Sequence, residues 1–456
     1  MKNKKEKLLL LTGIVFVCLC LATSAYATKW YVDASVTSSG TGESWSQALK
    51  TIQEAIAKAD SRWMICYAPF DSIYVKSGAY NLSSTVIINK VVSIYGGFPR
   101  TAAPAFADRD PEAYPTIIDG NNTYQCIKAT ASYFVLDGFT IREGYASYAS
   151  SDDSSGGGLY ADKTPNYCSF NESYMSPIIR NCKFTGNTAT EVGGAIYDGG
   201  ADLRITNCRF SNNSAKSGAG IYAVYSSPVI KASKFIGNAA MVYGGALCGR
   251  WCNQTTEAIA YMINCVFHDN SAQIGGAVYS YIFYPRIWNC TFYQNSATSD
   301  GGGFHSYDAY SNPADIKNCI FWGNTPNQLR YNVSSSTYLD VDWSDIQGGW
   351  TPVEHNINID PGFAGASDFH LTEGSPCIDA GRSFSTYSED IEGVLRPQDG
   401  DFDGLAEWDM GAYEFEGYSP DSDDDGDKDG KDLYDLINNF SLAKMIIFCE
   451  QFGSID

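Results

Sequence analysis

Apolar and polar residues alternate with a period of two over short stretches, and the stretches recur. In Ile205-Thr206-Asn207-Cys208-Arg209-Phe210 the Cys and Phe side chains share a face and the charged Arg takes the other. Near-copies are Asn181-Cys182-Lys183-Phe184, Asn264-Cys265-Val266-Phe267, Asn289-Cys290-Thr291-Phe292 and Asn318-Cys319-Ile320-Phe321. They lead to Asn187, Asn270, Asn295 and Asn324, as Phe210 leads to Asn213, and a degenerate copy, Ala232-Ser233-Lys234-Phe235, leads to Asn238. Successive Phe positions differ by 26, 25, 32, 25 and 29 residues. A second signature runs in phase: Gly193-Gly194-Ala195-Ile196-Tyr197, Gly218-Ala219-Gly220-Ile221-Tyr222, Gly244-Gly245-Ala246-Leu247-Cys248, Gly275-Gly276-Ala277-Val278-Tyr279 and Gly301-Gly302-Gly303-Phe304-His305, with Gly156-Gly157-Gly158-Leu159-Tyr160 before them.

A period near this length marks one supersecondary unit stacked on copies of itself. Helical repeats run longer and need a 3.6-residue apolar period, whereas these segments alternate and are cut by Gly, Asn and Ser. Asn is the best non-Gly residue for a left-handed bend. The pattern predicts strand, Asn bend, strand, turn and Gly-rich strand, one coil per repeat: an all-β, right-handed parallel β-helix. Its coils would stack roughly 4.8 Å apart. Asn181, Asn207, Asn264, Asn289 and Asn318 would form one ladder and the Phe residues another.

The flanks complete the solenoid. Residues 28–70 read as its N-terminal cap, with a strand at Lys29 to Asp33 and an amphipathic helix from Ser44 to Ala59 that puts Ala48, Ile52, Ala55 and Ile56 on one face. Such a cap covers the strand edges and core of the first coil. The β-helix spans 71–349. Gly144 to Ser176, rich in Ser, Tyr, Gly and Asp, interrupts the repeat as a loop over one face, and 350–416 form a less regular closing region.

Charge and export signals narrow the setting. The chain has 456 residues, with 31 Lys+Arg against 52 Asp+Glu, a formal charge of −21. Lys2, Lys4, Lys5 and Lys7 precede an apolar run from Leu8 to Leu21, and Ser24-Ala25-Tyr26-Ala27 offers a small-x-small cleavage site. This predicts a secretory signal over 1–27, with an uncleaved anchor as the alternative. The mature protein would be secreted or at the outer cell surface, without a transmembrane domain. Leu19 before Cys20 speaks against lipidation. Removing four Lys and one Glu leaves 27 − 51 = −24. That balance makes the chain a poor candidate for nucleic acid or an anionic membrane surface, so no nucleic-acid partner is expected, and it would repel polyuronates unless a divalent cation bridged them. Five of twelve mature Cys (Cys182, Cys208, Cys265, Cys290, Cys319) share one repeat position, as a buried thiol column would. No Cys/His spacing fits zinc. Cys248 and Cys252 either close a small loop or stay free.

The tail carries metal chemistry. Asp421, Asp423, Asp425, Asp429 and Asp432 place oxygens at positions 1, 3, 5, 9 and 12 of a calcium loop, Gly426 takes position 6, and Asp427 offers its carbonyl at position 7. Leu433 to Phe440 reads as the exiting helix, and 417–456 as a calcium loop and helix. Asp399, Asp401, Asp403 and Gly404 begin a second loop, left incomplete by Met410 at position 12.

Phe-x-x-Asn paired with Gly-Gly-Ala-(Ile/Val/Leu) resembles the repeat of the chlamydial polymorphic outer membrane proteins, and is similar to secreted bacterial β-helix proteins of the pectin-lyase-like superfamily. Trp343-Ser344-Asp345-Ile346-Gln347-Gly348-Gly349, Asp360-Pro361-Gly362-Phe363, Gly374-Ser375-Pro376-Cys377-Ile378-Asp379-Ala380-Gly381 and Asp409-Met410-Gly411-Ala412-Tyr413-Glu414 share the second likeness. The chlamydial proteins end in a membrane barrel, which is not expected in this chain. Asp432 followed by Leu433 resembles a dockerin-type loop; a dockerin has two such loops, and here one is complete. Polygalacturonases on this scaffold use clustered carboxylates, Gly-His-Gly and Arg-Ile-Lys; the nearest strings are Asp152-Asp153, Phe304-His305-Ser306 and Arg286-Ile287-Trp288, and none matches. The Arg-x-Pro-x-x-Arg pattern of pectate lyases does not occur. His268 and His305 read as surface residues, and His370 as structural. Paired glycosidase carboxylates can come from distant coils and so leave no sequence pattern.

A surface remains. With Ile196, Ile221, Leu247 and Val278 inward, Tyr160, Tyr197, Tyr222, Tyr279 and His305 face outward as a column that either binds a polysaccharide or covers the sheet by cross-strand packing. The sequence points to an exported, acidic, calcium-stabilised, non-catalytic β-helix in adhesion or glycan contact, with a polysaccharide or a cell-surface protein as partner. The alternatives are a polysaccharide lyase or glycoside hydrolase, and a structural stalk or surface-layer component.

Overall fold

The computed structural model describes residues 27–60, 70–148, 154–162, 176–251, 259–308, 314–333, 339–351, 355–384, 388–401 and 404–416. The chain winds as a right-handed parallel β-helix. One coil shows the unit: Arg204–Thr206 in sheet 1, Arg209–Ser211 in sheet 2, Ser214–Ser217 in sheet 3 and Ile221–Val224 in sheet 4. Stacking these units gives parallel sheets of 11, 10, 6 and 9 strands.

The bend between sheets 1 and 2 is left-handed, as the Asn positions predict. Asn181, Asn207, Asn264, Asn289 and Asn318 have φ between 51° and 53°. Behind it, Phe184, Phe210, Phe235, Phe267, Phe292 and Phe321 are fully buried and stack at 4.3–5.1 Å, nearly coplanar. Each buried ring removes apolar area worth about 1.5–3 kcal/mol, and stacking adds about 0.5–1.5 kcal/mol per pair. The Cys column is buried beside it, with free thiols.

A second Asn ladder, which the repeat displays but periodicity does not explain, lies at the next corner. Asn187, Asn213, Asn238, Asn270, Asn295 and Asn324 are buried. Asn238 is typical: its Nδ2 donates to the Phe210 carbonyl (3.0 Å) and to Asn270 Oδ1 (2.9 Å), and its Oδ1 accepts from Asn213 N (3.2 Å) and Asn213 Nδ2 (2.9 Å). The amide satisfies backbone groups that the corner would otherwise leave buried and unpaired. Gln328 ends the ladder by accepting from Asn324 Nδ2 at 2.6 Å. The Gly-Gly pairs follow from close stacking: Gly244 sits at φ +60°, and a Cβ on Gly245 would run into the Gly276 carbonyl.

Three expectations change. The cap helix is shorter than its apolar face suggested: Trp45–Gln47 is a 3-10 turn and the α-helix is Ile52–Lys58. Ala48 and Thr51 are extended, because Leu49 bridges Val32 of the first strand and Thr51 forms a capping box with Glu54. Gly144 to Ser176 is not one loop, since Tyr145–Ala146 and Leu159–Asp162 within it are strands of sheets 3 and 4. The closing region does not simply follow the last coil. It folds back along the outside of sheet 2, packing Phe369, Ile391, Ala412 and Tyr413 on Val266, and Leu371, Ile378 and Met410 on Ile320. Asn264 Nδ2 reaches the Glu389 carbonyl at 2.6 Å and Asn318 Nδ2 the Arg382 carbonyl at 2.8 Å. Arg396, fully buried, holds this region together through Glu414 (3.0 Å) and the Asp409 and Gly411 carbonyls.

From Ile178 to Asp308 the larger differences in coil length fall between sheet 4 and the next strand of sheet 1. That connection runs from Val224 to Val229 in one coil, from Arg250 to Tyr261 in the next and from Tyr281 to Arg286 in the third. Over the same stretch the other corners hold their length to within a residue, whereas an earlier coil carries a long excursion between Phe98 of sheet 1 and Thr116 of sheet 2.

Asn238→Ala strands the Phe210 carbonyl and the Asn213 amide, so urea unfolding should show a loss of about 2–4 kcal/mol. Asn207→Gly, which keeps the left-handed bend, should cost less than about 1 kcal/mol. Equal losses would refute the distinction between the two ladders.

Candidate functional site

Sheet 2 turns one residue of each strand outward between Cys and Phe. Read through the strand register, that column is Thr140, Lys183, Arg209, Lys234, Val266, Thr291, Ile320. Val266, Thr291 and Ile320 are buried under the closing region. The three cations before them are left open as the floor of a trench of about 1110 Å³.

Two walls bound it. Arg109, Pro111 and Glu112, from the excursion between sheets 1 and 2 of an earlier coil, form one, and Glu389 to Gly393 of the closing region form the other. Arg109 is anchored on Asp137 Oδ1 at 2.6 Å, and Asp137 also accepts from Arg180 (2.7 Å) and Asn181 Nδ2 (2.9 Å). Burial pushes the Asp137 pKa up, but these three donors outweigh it and hold the carboxyl below its ordinary value. The far wall is pinned by Glu392, which meets Lys234 at 3.4 Å and His370 at 3.3 Å. Burial would lower the Lys234 pKa; Tyr413 and Glu392 reverse that and raise it. Glu112 pairs with Lys183 at 2.5 Å. Arg209, between them, is exposed and has no ion-pair partner among the described residues. Beside the cations the neighbouring outward column adds hydroxyls, Ser211 donating to Thr185 at 3.2 Å. The floor of the trench therefore presents cations and hydroxyls at coil spacing, between walls that carry the carboxylates of Glu112, Glu389, Asp390 and Glu392.

The aromatic column forms, with its rings turned onto one another. Tyr160 and Tyr197 stack at 4.7 Å and Tyr197 and Tyr222 at 6.0 Å. Cys248 interrupts the column, and Tyr279 then stacks on His305 at 5.4 Å. Lys128 lies over the Tyr160 ring at 5.4 Å. Tyr222, Tyr279 and His305 are buried, and Tyr160 and Tyr197 half-buried. The stacked faces are thus taken by neighbouring rings.

The calcium loop of Asp421, Asp423, Asp425, Asp427, Asp429 and Asp432 lies outside the described residues, as do Cys252 and the export signal up to residue 26. Of the incomplete loop, Asp403 is outside them too, while Asp399 and Asp401 converge with Asp379, ligand oxygens lying within 4.8 Å of one another. Asp379 comes from a separate segment, with φ +51°, and accepts from the Gly400 and Asp401 amides at 2.8 and 2.9 Å. Asp399 Oδ1 is buried without a partner. An all-oxygen set of this kind suits a hard divalent cation. Among the described residues no helix is long and apolar enough to cross a membrane.

Two histidines expected at the surface are buried. His268 lies under Phe369 of the closing region, ring centroids 5.1 Å apart, and His305 between Tyr279 and the following coil. His370, in the closing region as expected, ties Asp368 to Glu392. Sequence reasoning missed the trench, although its signal is present: the outward residue changes from Lys, Arg, Lys to Val, Thr, Ile where the closing region begins its cover.

Burial drives the His305 pKa down to about 4, with Asp300 opposing and Arg330 assisting. The folded protein favours the neutral ring, so its contribution is present above the ordinary value of 6.5 and is lost as pH falls toward 4. The stability difference between wild type and His305→Phe should shift against wild type across that window, and a pH-independent difference would refute it.

A family model described as the right-handed β-helix region matches residues 118–342. Metabotropic glutamate receptor-like protein R of Dictyostelium discoideum is 29% identical over 165 residues, 34% of this chain and 10% of that protein. The chain therefore spans about a tenth of the length of that curated relative. Among solved structures, pectate lyase Pel9A superimposes with a TM-score of 0.43 and 13% identity over 86% of this chain and 98% of its own. The deglycosylated pectin methylesterase of Aspergillus niger gives 0.31 and 15% over 71% and 91%.

Proposed function

We propose that this β-helix protein is exported and binds an anionic glycan, without cleaving it, in the trench over Lys183, Arg209 and Lys234. The carrying observation is an exposed Arg209, without an ion-pair partner among the described residues, flanked by two lysines on a chain of net charge −21. Strong overall acidity repels polyanions at long range, but that repulsion is screened beyond about 8–10 Å at physiological salt, whereas direct contacts inside the trench are screened less. Guanidinium and ammonium groups suit carboxylate or sulfate substituents, and Thr185 and Ser211 suit sugar hydroxyls. The Tyr160–Tyr197 column lies on sheet 4 and serves in this reading as cover for that sheet.

A uronate polysaccharide should be retained by the mature protein at physiological salt and released as salt rises well above it. Arg209→Gln should weaken retention about tenfold or more, the worth of a charge-assisted hydrogen bond, while Tyr197→Ala should change it less than about twofold, in line with a covering role. New chain ends on the polymer would replace binding with catalysis, and retention untouched by Arg209→Gln would remove the trench from the reading.

Calcium belongs to the same proposal, held by the loop from Asp421 to Asp432 and serving the tail rather than the coils. Chelation should leave the β-sheet circular dichroism nearly unchanged; its collapse would place the ion within the solenoid.

A further inference from the structure

The trench is stopped at both ends along the solenoid axis. At one end the Arg109–Glu112 segment lies over the coil of Gly138: Arg109 Nη2 donates to the Asp137 carbonyl at 3.1 Å, and a Cβ on Gly138 would meet Pro111 Cγ at 2.8 Å. At the other end Ile391 packs on Val266 and the Glu389 carbonyl takes Asn264 Nδ2, so the coil of Asn264 is covered. Between them the coils of Lys183, Arg209 and Lys234 form the open floor, with Thr140 at its edge and Lys234 partly covered by Tyr413. At sheet spacing three coils measure roughly 14 Å.

We infer that the trench takes a short anionic saccharide or the end of a chain, aligned along the solenoid axis and anchored on Arg209, and does not take the interior of a long chain. This rests on the reading of the trench as an anionic-glycan site and adds its length and polarity. Axial alignment follows from the charges, which lie one per coil in a single column. A chain crossing the coils would meet them one at a time. The end stops then limit an axial chain to the open coils. The wall carboxylates set the order of occupation. Glu112 and Glu392 already neutralise Lys183 and Lys234, while Arg209 is unpaired among the described residues, so the first acidic group goes to Arg209. Groups reaching the outer lysines must displace a glutamate that is itself exposed, with side chains 76% and 48% accessible.

The test is calorimetric titration with a size series of galacturonate oligomers, dimer to dodecamer, counted per chain. Affinity should rise to the length that spans three coils, about a trimer to tetramer, and then stay level. A chain whose interior fits would gain affinity with each added unit, because the number of binding registers grows; that result overturns the end stop while leaving the glycan site standing. Binding at no length removes the site itself. Glu112→Gln and Glu392→Gln, both on exposed side chains, should each tighten short oligomers about threefold or more without moving the plateau. Weaker binding in both would overturn the assigned order of occupation.

Discussion

Every coil must repeat the hydrogen bonds of the coil before it, and the buried Asn column is where that requirement is strictest. A turn buried in a solenoid leaves amides and carbonyls facing inward, where an unpaired group costs about 1–3 kcal/mol. An Asn side chain carries both a donor and an acceptor, so one amide joins the coil below to the coil above: Asn238 takes the Phe210 carbonyl and Asn270 Oδ1 while serving Asn213. Stacking distance, Phe overlap and the bare Gly positions follow from keeping those amides in register. A slip of one residue would break all of them at once and turn the Phe ladder outward.

Against that regular frame the functional surface is made by irregular parts. The solenoid supplies a flat column of outward positions, and two non-repeating segments decide which of them meet water. The excursion carrying Arg109 and Glu112 ends the column on one side, and the closing region with Glu389 to Gly393 ends it on the other. The closing region is held by a fully buried arginine among the carboxylates of Asp390, Asp409 and Glu414, with burial and mutual repulsion pushing the Glu414 and Asp409 pKa values up. Its shape is thus set by its own interior as much as by the sheet beneath.

The coil was legible because its information is local and repeated. Alternation gave the strands, Asn181 and its equivalents gave the bend, and the Phe spacing gave the stack. The burial of Asn213 or Asn238 was not legible, since Asn is usually a surface residue and only the coil above explains it. The fold-back of 355–416 was hidden for another reason: contacts such as Asn264 with Glu389 span 125 residues and leave no period. His268 was read as exposed for the same cause, its cover arriving from Phe369. Net charge was a poor guide to the site, because a sum over the chain says nothing of three cations gathered in one column.

From Ile178 to Asp308 the larger variation in coil length falls in the connection between sheet 4 and sheet 1, so this part of the solenoid has an edge that behaves as a margin. Residues added there extend a surface loop whose closure entropy grows only slowly with length, and no ladder has to shift. New surface chemistry can therefore be acquired at that edge one coil at a time, by insertion rather than by redesign of the solenoid, and a peptide grafted between Tyr281 and Arg286 inherits a rigid mount with the register of the coils unchanged.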